Sequence, residues 1–161
     1  MGLQIKGIWS IESEVFINSV QIRPPDEIVE GISFDIDDRR LTEAQHPLKG
    51  RTKASGCYLY YCYYDLGTYI EPVYIYAGKA DKFGKRLWTH WNDGERIDAF
   101  FKKYLNSGLL KKSFPLPDGT TVEQEPEPMV RVALWFVDEA LERTMLEHGI
   151  IYAYRPKMNI G

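Results

Sequence analysis

The 161-residue chain has only two cysteines, Cys57 and Cys62. They stand five apart in one expected strand, so their side chains point to opposite faces and a local disulfide is excluded. No thiolate or imidazole spacing for zinc exists, and His148 has no second ligand spaced to join it. Two unpaired cysteines fit a reducing cytoplasm. No apolar run approaches the ~20 residues of a membrane span. The start, MGLQIKGIWSIES, lacks the basic-then-apolar shape of a signal peptide. Lys6 stands where a myristoylation signal wants Ser or Thr. Internal repeats and low-complexity tracts are absent. A large excess of charge of one sign is also missing. The net charge is −3, against a wholly basic nucleic-acid binder, although distribution matters more than the sum. The size fits one domain with a full core.

Tyrosine is abundant. There are eleven, eight of them between Tyr58 and Tyr76. Gly56–Tyr64 is dense in β-formers and reads as a strand. Asp65–Thr68 is a turn, and Pro72–Gly78 a second, antiparallel strand. With strict alternation, Tyr58, Tyr60, Cys62 and Tyr64 share one face, and Tyr74, Tyr76 and Gly78 share one face of the partner. Asp81–Trp91 has helical spacing, with Phe83, Leu87 and Trp91 as its apolar stripe and Lys82, Arg86 and His90 on a neighbouring polar one. A second helix is expected over Glu95–Asn106, then a loop over 107–128. Met129–Val137 is apolar nearly throughout, which predicts a strand buried on both faces. Asp138 is a suitable N-cap for a last helix, about Glu139–Tyr152, stopped by Pro156.

Residues 1–55 read as an N-terminal extension with strands at Glu14–Gln21 and Gly31–Asp37, separated by Pro24-Pro25. The prediction is an α+β domain: a central sheet of about three strands flanked by helices, with a β-containing extension. Residues 56–161 form the main domain, with an insertion around 92–128.

Three constellations bear on chemistry, and each has a plain structural alternative. Tyr58 and Tyr76, with Gly78 and Lys79, are either core aromatics beside a turn or phenols facing an anion site. A tyrosine at its ordinary pKa of ~10 is only ~0.1% ionised at pH 7, so nearby cations such as Lys79 and Arg86 would have to favour the phenolate. Lys82, Arg86 and His90 are either a solvated face or phosphate ligands, Arg86 through its rigid fork. Glu147 lies about 140° around the helix from Glu142. It is either a boundary residue among Leu146, Ile150 and Ile151 or a carboxylate for Mg²⁺ or Mn²⁺.

Gly56-Cys57-Tyr58, Tyr76-Ala77-Gly78-Lys79-Ala80, Lys85-Arg86-Leu87 with His90, Leu146-Glu147 and Tyr154-Arg155-Pro156-Lys157-Met158-Asn159 occur in the order of the GIY-YIG endonuclease motifs. The chain resembles that family over about 56–159, its UvrC-type domains above all. The resemblance implies a one-metal DNA endonuclease using Mg²⁺ or Mn²⁺. Tyr58 and Tyr76 would activate and orient the attacking water, and Gly78 would admit the substrate. Lys79 would hold phenolate or phosphate. Arg86 would neutralise the scissile phosphate, with His90 beside it. Glu147 would bind the metal, and Asn159 would act as a structural group close to it. Cys57 and Ala77 replace the isoleucines of the two motifs, at positions expected to point away from the tyrosine face.

The compact chain favours a type II restriction enzyme acting on double-stranded DNA as a homodimer. A repair or mobile-element nuclease is the alternative, and a non-catalytic nucleic-acid-binding module on the same scaffold is the rival from another class. DNA contacts are expected from Lys82, Lys102, Lys103, Lys111 and Lys112, and the convergence of Tyr58, Tyr76, Arg86 and Glu147 on one concave surface.

Overall fold

A computed structural model describes residues 4–5, 15–17, 20–33, 54–67, 69–83, 108–127 and 129–160. The fold is mixed: a mostly antiparallel sheet with helices packed on it. The main sheet is built from β1 (Gln4–Ile5), β4 (Glu27–Ser33), β5 (Gly56–Asp65), β6 (Tyr69–Ala80) and β9 (Met129–Phe136). Its order is β1-β6-β5-β9-β4, and every pairing is antiparallel. Two small ribbons make up the rest of the described strands: β2 (Val15–Ile17) with β3 (Val20–Ile22), and β7 (Lys112–Pro115) with β8 (Thr121–Gln124). Helix α1 spans Ala140–Tyr154 and helix α2 spans Lys157–Ile160. None of the described helices is long and apolar enough to cross a membrane.

The three strands expected at the centre are there, but the sheet has five because β1 and β4 of the extension add to its two edges. Strand β4 starts at Glu27, not Gly31. The adjacent prolines cannot donate to a ladder, but Asp26 restores pairing at once. Its backbone N–H donates to the Leu134 carbonyl (2.8 Å), and its carboxylate accepts from the Phe136 N–H (2.7 Å).

Strand β5 is buried along nearly its whole length because both faces of the sheet are covered. One cluster joins Tyr58, Tyr60, Cys62 and Tyr64 to Val73, Ile75, Phe83, Leu110 and Phe114. The other joins Cys57, Leu59 and Tyr61 to Tyr74, Ala77, Trp135, Ile150 and Tyr154, under α1. The two free cysteines thus lie on opposite faces, as their spacing predicts.

Strict alternation fails in β6. Tyr60 pairs with Tyr76 but Tyr61 pairs with Tyr74, which leaves Ile75 as the extra residue of a β-bulge. The bulge reverses side-chain parity. Tyr74 joins the α1-side cluster, whereas Tyr76 packs on the cluster of Tyr58. Ile75 and Ala77 are both buried, but on opposite faces.

The stretch expected to be a loop at 107–128 contains the β7–β8 hairpin. Its turn residues, Pro117-Asp118-Gly119, are held by the Asp118 carboxylate, which accepts from the Thr120 N–H (2.9 Å) and hydroxyl (2.6 Å). Phe114 anchors the hairpin with its ring 5.0 Å from that of Tyr64, and the Tyr64 hydroxyl donates to the Leu110 carbonyl.

The N-cap of α1 is Glu139, one residue later than expected. Its carboxylate accepts from Leu141 N–H (3.1 Å) and Glu142 N–H (2.6 Å). Arg155 ends the helix in the left-handed region (φ 49°) ahead of Pro156. The helices expected over Asp81–Trp91 and Glu95–Asn106 lie outside the described residues, apart from the first three positions.

Candidate active site

Strand β5 is flanked by β6 and β9, so the first motif strand lies directly beside the second. Tyr58 stands opposite Gly78. The Tyr58 ring is fully buried and makes tilted or edge contacts with Tyr60 (5.9 Å), Tyr76 (6.2 Å) and Phe83 (6.4 Å). It lies over Gly78 so closely that an added Cβ would fall 2.7 Å from Tyr58 Cζ. A glycine is therefore required for a packing reason. Gly56 has the same requirement: a Cβ there would come within 2.9 Å of the Phe83 ring and would collide with the Trp135 backbone. Tyr76 is half-buried beside Tyr58, at the margin of this cluster. Burial, reinforced by neighbouring Tyr58, pushes the Tyr60 phenol well above its ordinary value.

The next residue along each strand faces the other way. Cys57 pairs with Lys79, and both lie on the α1 side. The Lys79 ammonium donates to Thr144 Oγ1 of α1 (2.6 Å). The Cys57 thiol donates to the Arg143 carbonyl (3.2 Å). Its pKa is pushed up to about 12, first by burial and then by the charge of Glu147, with Arg143, Lys79 and Arg23 acting in the opposite sense. Glu147 is thus within electrostatic reach of Cys57. It sits half-buried on the inner side of α1, while Glu142 is exposed, as the helical angle between them predicts.

The expected convergence is accordingly not formed among the described residues. Tyr58, Tyr76 and Gly78 are together on one face of the sheet, and Lys79 and Glu147 are on the other. Adjacent strand residues alternate faces, and α1 covers the face of Cys57. Arg86, His90, Lys102 and Lys103 lie outside the described residues. Asn159 reaches the second motif strand directly. Its Oδ1 accepts from the Ala77 N–H (2.7 Å) and its Nδ2 donates to the Ala77 carbonyl (2.9 Å).

Of the lysines expected to contact DNA, Lys82 is exposed. Lys111 lies 3.5 Å from the Glu123 carboxylate. Lys112 donates to both Glu71 oxygens at 2.8 Å, which commits its charge within the chain.

Sequence reasoning missed Arg143, a buried cation one turn before Glu147. It donates to the Val137 (3.2 Å) and Asp138 (2.6 Å) carbonyls and to the Asp81 carboxylate (2.6 Å). It thereby ties the start of α1 to the end of β6, at the edge of a cleft of about 290 Å³ lined by Lys79, Ala80, Asp81, Ala140 and Thr144. A charged residue on the buried stripe of a helix was the available signal.

Among the described residues, no three or more His, Cys, Asp and Glu side chains come together as a metal-binding group. The Glu147 carboxylate is a hard oxygen donor suited to Mg²⁺ or Mn²⁺, with water and phosphate left to supply the other ligands. In comparisons with known proteins, no family model, curated protein or solved structure matches the chain.

Proposed function

We propose that the protein is a metal-dependent DNA endonuclease of GIY-YIG type, most compatible with a type II restriction enzyme cutting double-stranded DNA as a homodimer in the cytoplasm. The observation that carries this reading is the contact of Tyr58 with Gly78 and Tyr76. It puts the tyrosine of one motif against the tyrosine and glycine of the other. The bond from Asn159 to Ala77 adds the last motif to the same strand.

Phosphodiester hydrolysis needs an aligned water, neutralised charge at phosphorus and a stabilised leaving oxygen. In this reading Tyr76, at the margin of its cluster, would orient water, and Tyr58, packed against it, would hold its ring. Arg86 would supply positive charge for the phosphate, and Lys79, on the α1 face with Glu147, would supply it beside the metal. Glu147 would hold Mg²⁺ or Mn²⁺, which when bound adds Lewis-acid stabilisation of the leaving oxygen.

Complete burial of Tyr58 favours a second reading. A phenol closed off from water suits a non-catalytic module that binds nucleic acid on the same scaffold. Plasmid cleavage in Mg²⁺ separates the two. The nuclease reading expects cleavage by wild type, with a loss of about 100-fold or more in Glu147→Gln and Arg86→Ala. Sharp bands indicate a restriction enzyme, and nicking or smearing a repair or mobile-element nuclease. Equal activity in wild type and Glu147→Gln would sink the nuclease reading. DNA retention without cleavage supports the binding module.

A further inference from the structure

Helix α1 has an outer face that packs against none of the described elements. Arg143, Ile150, Ala153 and Tyr154 are buried toward the sheet. At about 100° per residue, Leu141, Met145, His148 and Tyr152 fall in one stripe on the opposite side. Leu141 is 64% exposed, Met145 67% and Tyr152 53%. Isolated exposed apolar residues need no explanation, but three in line along one helix form a contact surface.

The ends of the helix carry opposite charge. Asp138, Glu139 and Glu142 are exposed at its start, and Arg155 and Lys157 at its finish. The Arg155 guanidinium stacks over the Tyr152 ring (5.0 Å), which brings the positive end to the stripe itself. A helix of this length spans about 22 Å, beyond the Debye length of ~8 Å at physiological salt, so the two ends act separately.

We propose that this stripe is the contact between two copies of the chain, with their α1 helices antiparallel about a two-fold axis between Met145 and His148. A two-fold interface must be self-complementary. Antiparallel packing meets that requirement by setting Leu141 against Tyr152, Met145 against His148, and each acidic end beside a basic one. Parallel packing would oppose like charges. One helix pair buries less than the ~800 Å² per partner of a standard interface, so association is concentration-dependent. Glu147, on the inner side of α1, stays clear of the contact. The proposal gives a contact surface to the homodimer of the proposed function, and its test reads association alone, so it can fail while DNA cleavage stands.

Sedimentation velocity of the full chain, from micromolar to submillimolar concentration, tests it. Wild type should pass from monomer to dimer. Leu141→Glu and Met145→Glu should weaken association by about tenfold or more with unchanged circular dichroism, because each places a carboxylate in the apolar contact. Oxidised His148→Cys should give a disulfide-linked dimer, and Glu123→Cys on the β7–β8 hairpin should not. A wild type that stays monomeric throughout overturns the proposal. So does a Met145→Glu chain that dimerises like wild type, or the absence of a crosslink at position 148.

Discussion

The two faces of the central sheet are covered in different ways. The Cys57 face lies under one continuous helix, α1, with Trp135, Ile150 and Tyr154 in the packing. Among the described residues, the Tyr58 face is closed by pieces from separate parts of the chain: Phe83, Leu110 and Phe114. A helical cover leaves a 3.6-residue period in the sequence, whereas a patchwork leaves none. The faces also divide the chemistry, with the motif aromatics on one side and Lys79, Arg143 and Glu147 on the other.

Substitutions that act on one face at a time test this division. The largest effect is expected from Trp135→Ala. The indole is fully buried on the α1 face and donates from Nε1 to the Arg23 carbonyl (2.8 Å). Its loss should cost about 3–5 kcal/mol in urea denaturation. If α1 alone covers this face, the far-ultraviolet helical signal should melt early while the aromatic near-ultraviolet signal of the Tyr58 face persists longer.

Gly78→Ala strikes the opposite face. The added methyl meets the fully buried Tyr58 ring, so about 1–3 kcal/mol of stability should be lost. Addition of Tyr58→Phe, which removes the hydroxyl nearest that methyl, should recover part of the loss. Failure to recover any would show that the clash is not what makes position 78 a glycine.

Raising the pH should touch both faces together, with an effect that is small just above pH 9 and grows with every further unit. Burial pushes the thiols of Cys57 and Cys62 from 9.0 up to about 12, and the Tyr64 phenol from 10.0 up to about 12. The folded chain keeps these protons after the unfolded chain has released them. Stability is therefore complete below pH 9 and falls progressively between pH 9 and 12. Chemical denaturation across that window should show the decline, and Cys62→Ala should make it shallower. Native thiols should also react slowly with Ellman's reagent at pH 8.

What could be read from sequence follows the same division. Strands β5 and β9 and helix α1 were legible because their patterns are long and locally consistent. The opposite orientations of Cys57 and Cys62, and the outward placement of Glu142 relative to Glu147, followed from periodicity alone. The bulge at Ile75 was not legible, since a single extra residue leaves composition untouched while reversing every later side chain. The β7–β8 hairpin was hidden by Pro115 and by the acidic tract around it, although Pro117-Asp118-Gly119 is a turn signal in its own right. Strand β4 began early because the Asp26 carboxylate made ladder bonds that no propensity scale contains. The candidate residues were legible one by one, but their division between faces required the sheet's cover to be known.

The amide of Asn159 does for Ala77 what one residue of a neighbouring strand would do, taking its N–H and returning to its carbonyl. Among the described residues, strand β6 is the longest in the sheet, and β1 pairs with it at Tyr69 and Ile70. A long strand edge is a template on which other chains add and aggregate. By occupying that edge at Ala77, Asn159 denies two of its backbone groups to any strand that would add there.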